Sequence, residues 1–163
     1  MIIITGQTGT GKTSLALELA RTKNGELLSA DSRQVFSEMD LGTGKVDSPQ
    51  DLENSNGIWH LRGIPIYGIN LIKPNQIFSA GDFAEYGRKV ISDIIARGKL
   101  PIIVGGTGFY LKSLLDPDET VSIPQNFELR QEYENKSTEY LQTTLAGKDP
   151  IKLSNMNNSD RNN

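Results

Sequence analysis

The run Gly6-Gln7-Thr8-Gly9-Thr10-Gly11-Lys12-Thr13 constrains this chain more than any other feature. It fits the spacing G-x-x-x-x-G-K-[ST] without a gap. Residues 1–5, Met-Ile-Ile-Ile-Thr, precede it and read as a short buried strand of a parallel sheet. Residues 12–22 follow it and read as a helix, with Leu15, Leu19, Ala16 and Ala20 on one face. A strand, a glycine-punctuated turn and a helix in that order turn backbone N–H groups inward around an anion, and the helix adds its own unsatisfied donors. Lys12 brings a point charge to a terminal phosphate, and the Thr13 hydroxyl can hold Mg²⁺. The motif specifies a diphosphate or polyphosphate and not, by itself, a nucleotide. A ligand-free glycine turn is the competing reading. It is disfavoured because strand and helix both stand where the motif needs them.

The same alternation continues downstream. Glu26-Leu27-Leu28-Ser29-Ala30 is a second, weaker strand ending at Asp31, and residues 64–72 hold a further one. Ser79, with Asp82 three residues on, marks a helix start, and Phe83, Val90, Ile91, Ile94 and Ile95 follow at helical spacing to a stop at Gly98. Pro101-Ile102-Ile103-Val104 is a clear strand, then comes the turn Gly105-Gly106-Thr107-Gly108 and a helix from Phe109. Strands alternating with helices predict an α/β fold, a P-loop NTPase-like parallel sheet flanked by helices. Residues 1–116 are expected to form this core. Residues 117–163 change character: a linker, a polar helical stretch over 127–145 anchored by Leu129, Tyr133, Tyr140 and Leu141, and an Asn-rich tail without helix or strand signal.

Bulk properties narrow the class. At 163 residues the chain can bury one core. Its net charge of −3 does not advertise a nucleic-acid binder, so any RNA contact must come from a local basic patch or from further sequence. The absence of cysteine excludes disulfides and Cys-ligated zinc and fits a cytoplasmic protein. The apolar start is too short for a signal peptide or a membrane span.

Two further segments lie at the carboxyl ends of strands, the edge that faces the ligand crevice in open α/β sheets. In Asp31-Ser32-Arg33-Gln34, the Asp31 carboxylate is either a metal-shell ligand or general base, or a cap on the next turn. Gly105-Gly106-Thr107-Gly108 either admits a ligand closely or is a plain strand-to-helix turn. No acidic residue ends the strand at Val104, which counts against an ordinary P-loop ATPase. His60, alone beside Trp59, reads as structural, and Arg130 by default belongs to a solvated helix face.

In order and spacing, these segments resemble the tRNA dimethylallyltransferase family. The resemblance rests on the loop 6–13, on Asp31-Ser32-Arg33-Gln34-Val35-Phe36, on Asp40-Leu41-Gly42-Thr43-Gly44-Lys45, on Ile77-Phe78-Ser79-Ala80-Gly81-Asp82-Phe83, and on PIIVGGTGFYLKSLL over 101–115. Phe36 stands where the family has Tyr, and Ile66-Tyr67-Gly68-Ile69-Asn70 where it has a His-His-Leu-Ile-Asp-like stretch.

The resemblance implies transfer of a dimethylallyl group from dimethylallyl diphosphate to N6 of the adenosine beside the anticodon, position 37 of tRNA. It implies that Gly6, Gln7, Thr8, Gly9, Thr10, Gly11, Lys12 and Thr13 hold the diphosphate, with Mg²⁺ at Thr13. Asp31 would be the general base and Thr107 would contact the target adenosine; Ser32, Arg33, Gln34 and Arg130 would line the path of the tRNA anticodon stem-loop. The family's members run much longer than 163 residues, so the chain is expected to be an N-terminal part, carrying the beginning of a helical tRNA-binding insertion and lacking later strands. A cytoplasmic monomer with no membrane contact is expected. The competing readings are a P-loop small-molecule or nucleotide kinase, an adenylate isopentenyltransferase, and an inactive phosphate-binding fragment.

Overall fold

The protein is described by a computed structural model covering residues 1–40, 42–45, 51–116 and 126–156. The chain divides into two compact units, Met1–Ser122 and Ile123–Asn163. In the first, β1 (Ile2–Thr5), α1 (Lys12–Thr22), β2 (Gly25–Ser29), β3 (Leu52–Ser55), β4 (Ile58–Leu61), β5 (Ile64–Tyr67), α2 (Ala80–Ala96), β6 (Leu100–Gly105) and α3 (Gly108–Leu115) follow in order.

The six strands form one sheet in the order β1-β6-β2-β5-β4-β3. The expectation of a parallel sheet holds for four of them: β6 pairs in parallel with β1 and with β2, and β2 with β5. It fails for the rest, because β3, β4 and β5 are antiparallel neighbours. Tight turns account for this. Asn56-Gly57 and Arg62-Gly63 all adopt positive φ, the conformation of short hairpin turns, so the chain doubles back and has no room for a crossover helix.

Period-two alternation divides the core between the two sheet faces. Leu27, Ile102, Val104 and Ile66 pack with Ala16, Leu17 and Ala20 of α1 on one face. Leu28, Ile103 and Ala30 pack with Phe83 of α2 and with Tyr110, Leu111 and Leu114 of α3 on the other. Gly87 permits the α2–α3 approach, since a Cβ there would meet Leu114 Cδ1 at 2.9 Å.

Two expectations need correction. Residues 1–5 are not fully buried: Ile2, Ile3 and Ile4 are half-buried because β1 is an edge strand. The buried stripe of α1 is Ala16, Leu17 and Ala20, while Leu15 is 48% exposed. The strand expected within 64–72 is β5; it ends at Tyr67, where Gly68 turns to φ 83° and a side chain would press on the Ser29 carbonyl.

The second unit carries α4 (Phe127–Glu134), α5 (Thr138–Lys148) and α6 (Pro150–Ser154). The single helical stretch expected over 127–145 is therefore two helices. Ser137 breaks it, its side chain accepting from Tyr140 N as the cap of α5. None of the expected anchors is fully buried. Of the linker expected over 116–124 and the tail expected over 154–163, residues 117–124 and 157–163 lie outside the described residues, and Ser154 ends α6.

α2 starts at the capping box expected from Ser79 and Asp82. Asp82 N donates to Ser79 Oγ at 3.1 Å, and Ser79 N donates back to Asp82 Oδ2 at 2.8 Å. Ser79→Ala is expected to destabilise the protein by about 1 kcal/mol. Adding Asp82→Ala should cost less than its separate effect, because the pair caps as a unit. Urea denaturation midpoints check both.

Candidate active site

The loop after β1 takes its shape from three glycines: Gly6 at φ 147°, Gly9 at 82° and Gly11 at 81°. Gly11 is also the N-cap of α1 and offers no side-chain cap, and the first turn holds no acidic residue. The first N–H groups of α1 therefore have neither an internal acceptor nor an acidic residue in their own turn, which is the local chemistry of an anion site. Thr10 Oγ1 and Lys12 Nζ both donate to the Gln7 carbonyl, at 2.8 and 2.5 Å, and so hold the loop in a tight curl.

β6 brings the other half of the site to this loop. Its register sets Thr5 beside Gly105 on one side and Ser29 beside Val104 on the other. The pairing continues past the strands: Ala30 N donates to the Val104 carbonyl at 2.8 Å and Thr107 N to the Ala30 carbonyl at 3.1 Å. Gly105 is required here, because a Cβ would collide with the Ala30 carbonyl.

A cleft of about 390 Å³ lies between these parts. Thr8, Gly9, Gly11, Lys12 and Thr13 form one side of it. Asp31, Gln34, Gly105 and Gly106 also line it, so the phosphate-type loop and the two strand-end segments share one opening. Leu61, Ile66 and Val104 give it an apolar patch.

The half-buried Asp31 accepts from Arg33 N through Oδ1 at 2.9 Å, and Gln34 N donates to the Asp31 carbonyl. The turn-capping role is thus real. It occupies one carboxylate oxygen, and among the described residues Oδ2 has no partner, so a chemical role stays open. Thr107 Oγ1 accepts from Ser32 N at 2.9 Å and lies 3.3 Å from Ser32 Oγ, an arrangement that fixes the Asp31-Ser32 turn against β6. Ser32, Arg33 and Thr107 adjoin the cleft residues in sequence but do not line the cleft. Gln34 has both amide ends engaged, Oε1 accepting from Ser29 Oγ at 2.7 Å and Nε2 donating to the Gly44 carbonyl at 2.9 Å. Arg130 is exposed on α4, in the second unit. His60 pairs across the strands with Glu53 and Pro65, and its Nδ1 lies 3.1 Å from the Ile58 carbonyl, consistent with a structural role.

Three cleft residues had been noted in sequence only as part of a motif: Thr43, Gly44 and Lys45. Nothing local marks Gly44 and Lys45 as functional, because Gly44 is held by Gln34 and Lys45 by Asn70, ten and twenty-five residues away.

A model of the IPP transferase family matches residues 34–163, well over half the chain. The chain belongs to the IPP transferase family. Among its relatives, tRNA dimethylallyltransferase of Acetivibrio thermocellus is 41% identical over 154 residues, 92% of this chain and 46% of that protein. The Staphylococcus haemolyticus tRNA dimethylallyltransferase is 38% identical over 168 residues, covering 99% and 48%. Two solved structures are similar over 99% of the chain. The tRNA isopentenylpyrophosphate transferase of Bacillus halodurans has a TM-score of 0.64 at 29% identity, with 51% of it covered. A eukaryotic dimethylallyltransferase acting on tRNA has a TM-score of 0.78 at 28% identity, with 39% covered. The chain spans about half the length of the relatives it matches. The mixed six-stranded sheet with its flanking helices is the P-loop NTPase-like fold of these IPP transferases.

Tyr110 supplies a pH probe near this site. Its ring stacks on Phe83 at 4.2 Å and meets Phe78 edge-on at 6.3 Å. Burial, with smaller contributions from the Asp82 and Asp31 carboxylates, pushes its hydroxyl up from 10.0 to about 12. A raised folded-state pKa means that its stabilising contribution is full below pH 10 and is lost as the pH rises toward 12. A tyrosinate absorbance titration of the folded protein should show a late-titrating group that Tyr110→Phe removes.

Proposed function

We propose that this IPP transferase moves a dimethylallyl group from dimethylallyl diphosphate to N6 of the adenosine beside the anticodon of tRNA and releases diphosphate. The observation that carries the reading is one cleft shared by an anion-binding loop and a carboxylate with an uncommitted oxygen, Asp31. The names of the relatives and of the structural neighbours agree with it.

In the proposed reaction the adenine N6 nitrogen attacks the first carbon of the prenyl chain. The bond from that carbon to the diphosphate oxygen breaks, and the nitrogen's proton passes to the Asp31 carboxylate. An exocyclic adenine amine is a poor nucleophile, so alignment and a nearby base matter most on that side. The leaving group is an anion, so charge stabilisation matters most on the other. There the loop N–H groups, the start of α1 and Lys12 face developing charge without needing to reorganise. The target base must leave its stack to reach such a pocket, and Gly105 and Gly106 keep that part of the cleft free of side chains.

The donor set also fits Mg²⁺. The cleft offers the Thr13 hydroxyl, and no cluster of three metal-ligating side chains occurs among the described residues. That suits an ion held mainly by phosphate oxygens and water, with Thr13 as its protein ligand and charge neutralisation of the diphosphate as its contribution. Ser32, Arg33 and Gln34 would then face the tRNA side, with Arg130 contributing from the helical unit. Such an enzyme would work in the cytoplasm. No helix among the described residues is long and apolar enough to cross a membrane.

Asp31→Asn gives the sharper test, because the amide oxygen can still accept from Arg33 N and preserve the turn. Prenyl transfer to unmodified tRNA is expected to fall by about 100-fold or more, the usual worth of a positioned base. Binding of dimethylallyl diphosphate with Mg²⁺, followed by calorimetry, should be unchanged. Wild-type turnover in Asp31→Asn would remove Asp31 as the base. A preference of the wild-type chain for ATP over dimethylallyl diphosphate would replace the transferase reading with a kinase.

A further inference from the structure

Lys45 is one of two lysines that line the cleft, and the two are employed differently. Lys12 is half-buried at the mouth of the anion loop. The Lys45 side chain has no exposed surface at all. Its ammonium donates to the Phe36 carbonyl at 2.6 Å, to Asn70 Oδ1 at 2.7 Å and to Asp40 Oδ1 at 2.9 Å. An ammonium has three protons, and here three acceptors take them all. Lys45 therefore has none left for a phosphate oxygen, although it stands where a second phosphate-binding lysine would be sought.

The three acceptors come from two parts of the chain, Phe36 and Asp40 from the stretch between β2 and β3 and Asn70 from beyond β5. Phe36 follows the turn after β2 and bridges to Ile72. Asn70 lies beyond β5 in a left-handed conformation, φ 51°, with its N–H donating to the Gln34 carbonyl at 3.0 Å. Asp40 belongs to the excursion between β2 and β3 and is 69% exposed, so its attraction for the ammonium is weakened by solvent. A desolvated charge is tolerated only where its hydrogen bonds are complete. The ammonium is thus an anchor that fails if either segment moves. Two more bonds hold the same excursion: Thr43 Oγ1 donates to the Met39 carbonyl at 2.8 Å, and Gln34 Nε2 to the Gly44 carbonyl. The backbone they fix, at Thr43 and Gly44, lines the cleft together with the anion loop.

We propose that Lys45 is a positioning residue: by joining Phe36, Asp40 and Asn70 it holds Thr43 and Gly44 as a wall of the diphosphate cleft, and it does not contact the ligand. This rests on the diphosphate reading of the cleft given above.

Calorimetric titration of the full chain with inorganic diphosphate and Mg²⁺ tests it, comparing wild type with Lys45→Met, Asn70→Ala and the double variant. Lys45→Met is expected to weaken affinity about tenfold, the scale of one lost charged hydrogen bond, with one site per chain retained. Asn70→Ala should weaken it less, and the double variant should match Lys45→Met alone, because both changes release one anchor. A lower number of sites at wild-type affinity in Lys45→Met would mean a merely structural lysine and overturn the proposal. Should Lys45→Met fail to fold, Asn70→Ala decides: weaker affinity at full stoichiometry supports the anchor, and wild-type affinity overturns it. Wild type that binds diphosphate with unaltered variants removes this proposal alone. Wild type that binds none removes the diphosphate reading and this proposal with it.

Discussion

The parallel pairing of β6 with its two neighbours is the constraint on which the site depends. β6 stands between β1 and β2, so one strand sets the height of both functional loops. Thr5 is level with Gly105, which delivers the anion loop, and Ser29 is level with Val104, which delivers Asp31. The ladder does not stop at the sheet edge. It passes through Ala30 and Thr107 backbone bonds to the Thr107 hydroxyl on Ser32 N. A slip of one residue would turn Leu27, Leu28, Ile102 and Ile103 to the wrong faces, at the loss of both packed layers. The hydrophobic core therefore enforces, at a distance, the alignment of the loop with the carboxylate.

The antiparallel extension serves the same cleft from the other side. β4 and β5 contribute Leu61 and Ile66 to its apolar patch, and the chain leaving β5 presents Asn70 to Lys45. Gly68 makes that departure possible: its φ of 83° lets the backbone pass the Ser29 carbonyl where a side chain would not fit. Gly105 does the equivalent on the neighbouring strand, against Ala30. Both glycines mark places where two backbones meet at the carboxyl end of β2, and there the site is built from main chain more than from side chains.

What was legible in the sequence follows from how local its physics is. The anion loop could be read because its chemistry is contained in eight consecutive residues and in the elements on either side. The α2 capping box could be read for the same reason, with donor and acceptor three residues apart. Asp31 was legible as a position but not as a role, since its Oδ1 performs the bland function that sequence also allowed. Lys45 and Gln34 were illegible in their actual roles. Gln34 meets Gly44 across ten residues, and Lys45 meets Asn70 across twenty-five. In α1, Leu15 and Leu17 lie on opposite flanks of the same alanines, so periodicity alone could not choose which one the sheet would bury.

Net charge misleads about this cleft for a related reason. The chain carries −3 overall, yet on the proposed reading an anion in the cleft would meet the N–H groups of a curled loop, a helix start without an acidic residue, and Lys12. Opposing surface charges more than a Debye length away are largely screened, whereas these donors act at contact. Lys45 adds a buried positive charge whose sole ion-pair partner among the described residues, Asp40, is mostly in solvent. All three of its protons go to protein acceptors, so on the proposed reading the lysine serves the cleft as a structural anchor. On the proposed reading, a few fixed dipoles and Lys12 would decide anion binding in the cleft, while Lys45 stays engaged by protein acceptors.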